Sequence, residues 1–227
     1  MNNEKPSFWQ HGSMLAFRLI VFSLLTVVAA ACGGGGGGGG TPGPGPSPTP
    51  TQTPGAYQPL AVGDRWSYAC HFRNPPKQGT FPIANDVSAT QTVNGVQTYA
   101  FDLQIVTSPS QIATETMLLA NDAKADTILY GYLQGGTVLP VTPTVIVSAN
   151  PTQTSYNYPG PDGKPVSRVF KGFTVTNPTP LGTFNVAVYY ESGATHNYGY
   201  AAGKGIMEED HGPNFQYDCL ITALHLQ

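Results

Sequence analysis

Residues 87–107 read VSATQTVNGVQTYAFDLQIVT and contain the pattern that decides the fold. Apolar side chains recur at every second position, which is the period of a half-buried β-strand and not of a helix. The dipeptide Asn94-Gly95 interrupts this pattern and is typical of a two-residue type I′ hairpin turn. The segment therefore predicts two antiparallel strands joined by a tight turn. The alternating apolar residues of the second strand are Tyr99, Phe101, Leu103 and Ile105.

Similar alternation continues through the 171 residues from Tyr57 to Gln227, which suffice for one domain with a sizeable core. Further turns are predicted at Gly135-Gly136 and at Asp162-Gly163, and no stretch carries a clear helical stripe. We predict an all-β domain, a single antiparallel meander that forms a strongly curved sheet, a half-barrel or a sandwich. The predicted strands cover residues 64–73, 87–93, 96–107, 112–120, 126–133, 137–147, 166–176, 183–191, 195–201, 205–210 and 215–226.

The composition excludes several classes of protein. Charged residues make up 10% of the 227 residues, compared with about 25% in an ordinary soluble domain. Glycine and proline are abundant instead, with 27 and 21 residues. Without residues 1–31 the chain keeps 8 basic and 12 acidic residues, a net charge of −4. These values argue against a coiled coil, a nucleic-acid binder and a polybasic patch for anionic lipid.

The N-terminus carries an export signal. Arg18 precedes a run of 13 uncharged, mostly apolar residues that ends at Ala31 and is followed by Cys32. Such a run is too short to span a bilayer as a helix, which requires about 20 residues, and it fits a signal peptide. Small residues directly before a cysteine resemble the lipobox of bacterial lipoproteins. That resemblance implies cleavage before Cys32 and acylation of its thiol. Separately, the sequence from Met14 onward makes a compact signal peptide by itself, so Met14 is an alternative translation start. An ordinary secretion signal with an incidental cysteine is the other interpretation.

A tether is predicted after Cys32. Residues 33–40 are eight glycines, and residues 41–55 read TPGPGPSPTPTQTPG without a charge. Neither part can bury apolar surface, so we expect a disordered linker, with the proline-rich part an extended spacer of about 45 Å. The predicted organisation is a signal peptide at 1–31, a lipidated cysteine with its tether at 32–56, and the β-domain at 57–227. In a Gram-negative bacterium, Gly33 after the acylated cysteine implies the outer membrane.

The two other cysteines are expected to form a disulfide. Export places Cys70 and Cys219 in a compartment where disulfides form, and acylation of Cys32 leaves them as an even pair. Cys70 shares a strand face with Trp66 and Tyr68 at the start of the domain, and Cys219 belongs to the last strand. A bridge would join the two ends of the domain. Two separate buried thiols are the alternative.

Three segments of the domain resemble a group of bacterial lipoproteins that share no agreed activity. Residues 57–68 fit the pattern Y-x-P-L-x-x-G-x-x-W-x-Y, residues 180–184 fit P-x-G-T-F, and residues 200–209 fit Y-x-x-G-x-G-φ-φ-x-E, where φ is apolar. The resemblance implies a curved antiparallel sheet on a lipid anchor. The same residues can serve turns and packing alone, or aromatic side chains can line a groove for an apolar or glycan ligand. The groove candidates are Trp66, Tyr68, Tyr189, Tyr190, Tyr198 and Tyr200.

No catalytic motif stands out. The chain has no G-x-S-x-G elbow and no Walker loop, and its histidines lack the close spacing of metal ligands. The acidic run Glu208, Glu209 and Asp210, next to His211, is predicted as a solvated hairpin loop and as a weak candidate cation site. We therefore predict no catalytic residues, no metal and no cofactor.

The predicted function is a lipid-anchored protein of the bacterial cell envelope that acts as a non-catalytic binding or structural module. Its expected partner is the membrane, through the acyl chains on Cys32, and nucleic acid is not expected. One alternative is a carrier or chaperone of lipid or another apolar ligand in a half-barrel groove. A second alternative is an envelope hydrolase.

Overall fold

The computed structural model describes residues 55–73, 79–108, 111–151, 155–192, 196–211 and 217–227. The predicted signal peptide, Cys32 and nearly all of the tether lie outside these residues. The described residues form twelve strands and no helix, which confirms the all-β class. Accordingly, this part of the chain has no helix that could span a membrane. The strands are β1 Arg65–Phe72, β2 Thr80–Val93, β3 Val96–Ser108, β4 Gln111–Asn121, β5 Thr127–Gln134, β6 Thr137–Val147, β7 Ser155–Pro159, β8 Pro165–Val175, β9 Asn185–Ser192, β10 His196–Ala201, β11 Gly205–His211 and β12 Tyr217–His225.

All twelve strands belong to one antiparallel sheet, in the order β6-β5-β4-β3-β2-β1-β12-β11-β10-β9-β8-β7. The first and last strands pair at its centre, and each half of the chain extends outward as a meander. The sheet curves until the edge strands β6 and β7 contact each other. Near this seam, Tyr132 Oη on β5 donates a hydrogen bond of 2.9 Å to the carbonyl of Pro159 on β7. The predicted curved meander is thus confirmed, as one nearly closed sheet and not a sandwich.

The Asn94-Gly95 turn is confirmed. Asn94 and Gly95 have φ values of 50° and 82°, the positive pair that a type I′ turn requires. Val93 and Val96 face each other directly beside the turn. This hairpin sets the register between β2 and β3.

Two strands differ from the prediction. β2 begins at Thr80 and not at residue 87, and the short strand β7 was not predicted. Pro82 is tolerated in β2 because the ladder to β3 begins only at Asp86. Before that point, the side chain of Gln104 accepts a hydrogen bond of 2.8 Å from the amide of Ala84.

The inner face of the curved sheet holds the core. In β1 the residues Trp66, Tyr68 and Cys70 are all buried on this face, as their alternation predicts. Cys70 lies directly opposite Cys219 on β12, and the structure joins them by a disulfide with an S–S distance of 2.02 Å. The bridge therefore lies at the centre of the sheet, where the two halves of the chain meet.

Residues 55–64 cover one end of the curved sheet. At the β10–β11 turn, the amide of Gly203 donates a hydrogen bond of 2.8 Å to the carbonyl of Ala56. The amide of Gly205 donates one of 2.8 Å to the carbonyl of Tyr57. From the other half, Asn121 Nδ2 donates a hydrogen bond of 3.0 Å to the carbonyl of residue 58. The entering chain thus connects both halves of the sheet at this end.

Candidate functional site

Four neighbouring strands bring ionisable side chains together on the inner face. The register pairs Arg168 on β8 with Glu191 on β9, Glu191 with His196 on β10, and His196 with His211 on β11. Glu209 lies two residues before His211 and therefore shares its face. Such a row is unusual in a protein interior, because buried charges require partners. Its members fall into two clusters with different electrostatics.

The first cluster is the ion pair of Arg168 and Glu191. Arg168 is only 2% exposed, and its Nε donates a hydrogen bond of 2.9 Å to Glu191 Oε1, which Nη2 and Tyr158 Oη also contact. Nη1 donates hydrogen bonds of 3.2 Å to the Ile146 carbonyl and to Tyr200 Oη. Burial disfavours both charges. For Glu191, the positive charge of Arg168 and the hydrogen bonds from Tyr158 and Arg168 outweigh this effect, so its pKa is lowered. Glu191 likewise keeps the pKa of Arg168 well above its usual value. This pair is therefore charged and fully engaged.

The second cluster joins Glu209 and His211. Asn85 Nδ2 donates a hydrogen bond of 2.7 Å to Glu209 Oε1, and Glu209 Oε2 lies 3.1 Å from His211 Nε2. The imidazole of His211 stacks on the ring of Tyr217 at a centroid distance of 4.3 Å. Burial raises the pKa of Glu209 to about 7 and lowers the pKa of His211 to about 3. Between about pH 4 and pH 6 this pair is therefore largely uncharged, with one proton between Oε2 and Nε2.

Neither cluster is open to a substrate. Glu209 and His211 are 0% and 2% exposed, and Arg168 is 2% exposed. A carboxylate beside an imidazole can act as a general base only if it reaches the reacting group within about 3 Å. In this enclosed setting the two clusters connect strands of the core.

An open cleft lies elsewhere on the sheet. It is formed by the end of β3, the start of β4 and the end of β5, next to the β7–β8 turn. Its volume is about 410 Å³, within the range of about 300–1,000 Å³ of small-molecule sites. The walls are formed by both apolar and polar side chains. The residues that matter for its chemistry are Ile105, Ala113, Glu115, Tyr132, Leu133 and Pro161.

Glu115 is the acidic group of this cleft. Its position on β4 follows from strand alternation, because it is in phase with Met117 and Leu119, which face the core. Burial raises the pKa of Glu115 to about 7, and the negative charges of Glu191 and Asp162 act in the same direction. Among the described residues, none forms a hydrogen bond or an ion pair with its carboxyl group. Glu115 is thus a half-buried acid without a direct partner in an open cleft.

The sequence analysis missed this residue, although a signal was available. A carboxylate at every-second-residue spacing from Met117 and Leu119 belongs to the inner face of any strand that covers residues 112–120. The burial of Glu209 and His211 was missed for a different reason: Glu209 falls within the predicted strand 205–210, but the run that ends at His211 was interpreted as a solvated hairpin loop. The structure places both in β11 with buried side chains, as the strand prediction allows and the solvated loop does not.

The predicted aromatic groove differs in the structure. Trp66, Tyr68, Tyr189, Tyr198 and Tyr200 do share the inner face, but each is at most 4% exposed. Tyr190 is separate from them, because neighbouring residues of a strand point to opposite faces and Tyr189 points inward. The amine of Lys171 lies 5.4 Å from the ring centroid of Tyr190 on that outer side. The six residues therefore do not line one groove, and none lines the cleft.

The acidic run is likewise divided between two faces. Glu209 is buried inside, whereas Glu208 and Asp210 are only partly buried and lie on the outer face of β11. Alternation thus separates the three weak candidates, and the structure does not bring their carboxylates together on one face. In the described part of the chain, no group of three or more metal-ligating side chains could hold a metal ion.

The recurring sequence motifs have structural roles at the covered end of the sheet. Trp66 Nε1 donates a hydrogen bond of 2.5 Å to the carbonyl of Lys204, and Tyr68 Oη donates one of 2.9 Å to the carbonyl of Ile206. Both acceptors flank Gly205. The first and third motifs thus meet in space and hold β1 against the β10–β11 turn.

No protein-family model matches the chain, and no curated protein matches it either. Among solved structures, it is similar to a "putative lipoprotein" from Parabacteroides distasonis, with 13% identity, a TM-score of 0.41, and coverage of 75% of this chain and 98% of that one. It is also similar to a "putative exported protein with YmcC-like fold" from Bacteroides fragilis, with 11% identity, a TM-score of 0.42, and coverage of 74% and 98%. Similarities this weak carry no conclusion about the function of the chain.

Proposed function

We propose that this chain is a lipid-anchored protein of the bacterial cell envelope, and that its β-domain is a non-catalytic binding module. The observation that carries the binding role is the open cleft of about 410 Å³ with Glu115 in its wall. The surrounding sheet is a filled core closed at one end by residues 55–64. A cleft of this size on a rigid scaffold suits a small ligand.

The location is supported by features at both ends of the chain. Cys32 follows an apolar run and small residues, and two acyl chains on its thiol are enough for stable membrane binding. The Cys70–Cys219 disulfide fits an exported protein, because such bonds persist in oxidising compartments. Gly33 favours the outer membrane if the cell is Gram-negative.

The two alternatives have weaker support. A lipid carrier needs a large apolar cavity, whereas Trp66 and the inner tyrosines are enclosed and the cleft carries a carboxylate. A hydrolase needs a reactive constellation that substrate can reach, and the Glu209–His211 pair is fully buried. The binding role requires neither.

The anchor is tested by expressing the chain and its Cys32→Ser variant with radiolabelled palmitate. We expect label and membrane association for the unchanged chain, and loss of the label with retention of the signal peptide for the variant. Equal labelling of both proteins would argue against acylation at Cys32.

The binding role is tested by blocking the cleft. The Ala113→Trp variant places a large ring on the cleft wall, and Ile112→Trp places the same ring on the neighbouring outward residue, which is 45% exposed. Each protein is equilibrated with small-molecule extracts of bacterial envelopes and examined by native mass spectrometry. We expect adducts on the unchanged chain and on Ile112→Trp but not on Ala113→Trp. Adducts that survive in Ala113→Trp, or their absence from all three proteins, would contradict this role.

A further inference from the structure

The walls of the cleft combine an acid with an apolar surface. Glu115 supplies the carboxyl group, and Ile105, Ala113, Leu133 and Pro161 supply aliphatic surface. Tyr132 at the back of the cleft is 2% exposed, and its hydroxyl donates to a backbone carbonyl, so it adds no free polar group. A ligand that fills this cleft therefore meets aliphatic side chains, the neutral polar residues Thr114, Thr116 and Gln134, and one acidic group.

The charges around Glu115 favour a positive ligand. Glu191 and Asp162 are the acids that act on it, from β9 and from the β7–β8 turn, and Arg168 on β8 is the cation that acts on it. Arg168 is already committed, since its nitrogens contact Glu191, Tyr200 and a backbone carbonyl. Lys164 at the rim pairs with Asp162 at 2.8 Å and is 82% exposed. No described cation therefore neutralises Glu115 directly.

From this arrangement we infer that the cleft binds a small organic cation, a protonated amine on a short apolar body, with Glu115 as the group that pairs with the ammonium. This inference rests on the proposed binding function and names its ligand class. The ammonium donates charge-assisted hydrogen bonds to the carboxylate. The aliphatic body of the ligand packs against Ile105 and Ala113, which lie opposite each other on β3 and β4.

Other ligand classes fit less well. An anion would be repelled by Glu115, Glu191 and Asp162 together. A neutral alcohol or sugar would donate a hydrogen bond to the Glu115 carboxylate, but it would lack the Coulombic attraction between two opposite charges. Cation, neutral molecule and anion of equal length can therefore be compared directly.

Amine binding should depend on pH in a defined direction. Burial, Glu191 and Asp162 raise the pKa of Glu115 to about 7, against the opposing influence of Arg168. Only the ionised carboxylate pairs with an ammonium, and the ionised fraction of such a group rises about tenfold between pH 6 and pH 8. A simple amine stays protonated over this range, so affinity for it should rise about tenfold.

The test uses three probes of equal length, n-butylammonium, n-butanol and butyrate, with the acylated protein in detergent. Binding to the unchanged chain, to Glu115→Gln and to Glu208→Gln is measured by isothermal titration calorimetry at pH 6 and pH 8. Glu208 is the matched control, because it is a partly buried glutamate on the outer face whose pKa is also raised to about 7.

We expect the unchanged chain and Glu208→Gln to bind n-butylammonium more tightly than they bind n-butanol or butyrate. Their affinity for n-butylammonium should also be higher at pH 8 than at pH 6. Glu115→Gln should weaken this binding about tenfold or more. The inference is overturned if butanol or butyrate binds as well as the amine, if Glu115→Gln has no effect, or if no probe binds. In each of these cases, envelope adducts that disappear in Ala113→Trp would still support the binding role with another ligand class.

Discussion

Gly205 lies so close to the indole of Trp66 that a Cβ atom at this glycine would come within 2.6 Å of Nε1. The backbone of Gly205 also has a φ of 85°, in the left-handed region that favours glycine. Its amide donates a hydrogen bond of 2.8 Å to the carbonyl of Tyr57, and the indole bonds to the preceding carbonyl. Three segments that are distant in sequence thus meet at one glycine.

Replacing Gly205 with alanine should therefore destabilise the domain strongly. Both the left-handed backbone and the contact with the indole oppose a methyl group, and together they should lower the free energy of unfolding by about 3 kcal/mol or more. Urea unfolding followed by tryptophan fluorescence measures this change. The matched control is Gly95→Ala, where φ is 82° and no atom lies within 4 Å of the added Cβ. The control should lose only about 1 kcal/mol, and equal losses would show that the indole contact is unimportant.

The disulfide should contribute much of the stability, because it closes a long loop. Cys70 and Cys219 are 149 residues apart in sequence, and closure of a loop near 100 residues is worth about 4.7 kcal/mol in the chain-entropy account. We expect the Cys70→Ser, Cys219→Ser double variant to lose about 4 kcal/mol in denaturant unfolding. Reductant should destabilise the unchanged chain by a similar amount and leave the variant unaffected. A reductant effect on the variant would indicate another cause.

The ion pair of Arg168 and Glu191 should show strong coupling between its members. Arg168→Met leaves the carboxylate of Glu191 buried beside Tyr158 without its cation, which typically costs about 3–5 kcal/mol. Glu191→Gln should be similarly harmful, because the guanidinium loses its counter-charge. The double variant removes both charges, so its loss of stability should be clearly smaller than the sum of the single losses. A double-mutant cycle of unfolding free energies measures the coupling, and additive losses would contradict it.

Local patterns predicted the features that depend on one strand or one turn. Alternation placed Trp66, Tyr68 and Cys70 on one face, and Asn94-Gly95 located a hairpin, because strand period and turn geometry are properties of neighbouring residues. The short strand β7 escaped prediction since its five residues contain Asn157 and Pro159, which are rare in strands.

The buried charges could not be predicted in the same way. A charged residue in an alternating segment is normally assigned to the solvent face, and nothing in the local sequence marks Arg168 or Glu209 as internal. Their burial depends on distant strands: register brings Arg168 on β8 opposite Glu191 on β9, and Glu209 on β11 bonds to Asn85 on the non-adjacent strand β2. Glu115 lies between these cases, because its phase with Met117 is local but the cleft around it is formed by distant segments.

The contribution of Glu209 to folding stability depends on pH in the opposite direction to the contribution of Glu191. Burial raises the pKa of Glu209 to about 7, so the folded protein keeps a proton that the unfolded chain loses above about 4.5. Its contribution to stability is therefore complete below that pH and is lost as the pH rises through 7. For Glu191 the folded pKa is lowered, so its contribution is present at neutral pH and is lost on acidification.

Glu209→Gln should consequently stabilise the domain at alkaline pH. A glutamine can accept from Asn85 with its oxygen and donate to His211 with its nitrogen, as the protonated acid does, but it never ionises. Relative to the unchanged chain, we expect little difference in unfolding free energy at pH 5 and a gain of about 3 kcal/mol at pH 8.5. The low pKa values of His196 and His211 make both proteins less stable as the pH falls below about 6.5, and this shared effect largely cancels in the difference. Glu191→Gln is the control and should be less stable than the unchanged chain at pH 8.5. Urea unfolding at the two pH values measures these free energies. If the difference in unfolding free energy between Glu209→Gln and the unchanged chain does not vary with pH, Glu209 is ionised in the folded protein throughout. The core would then hold a second buried charge.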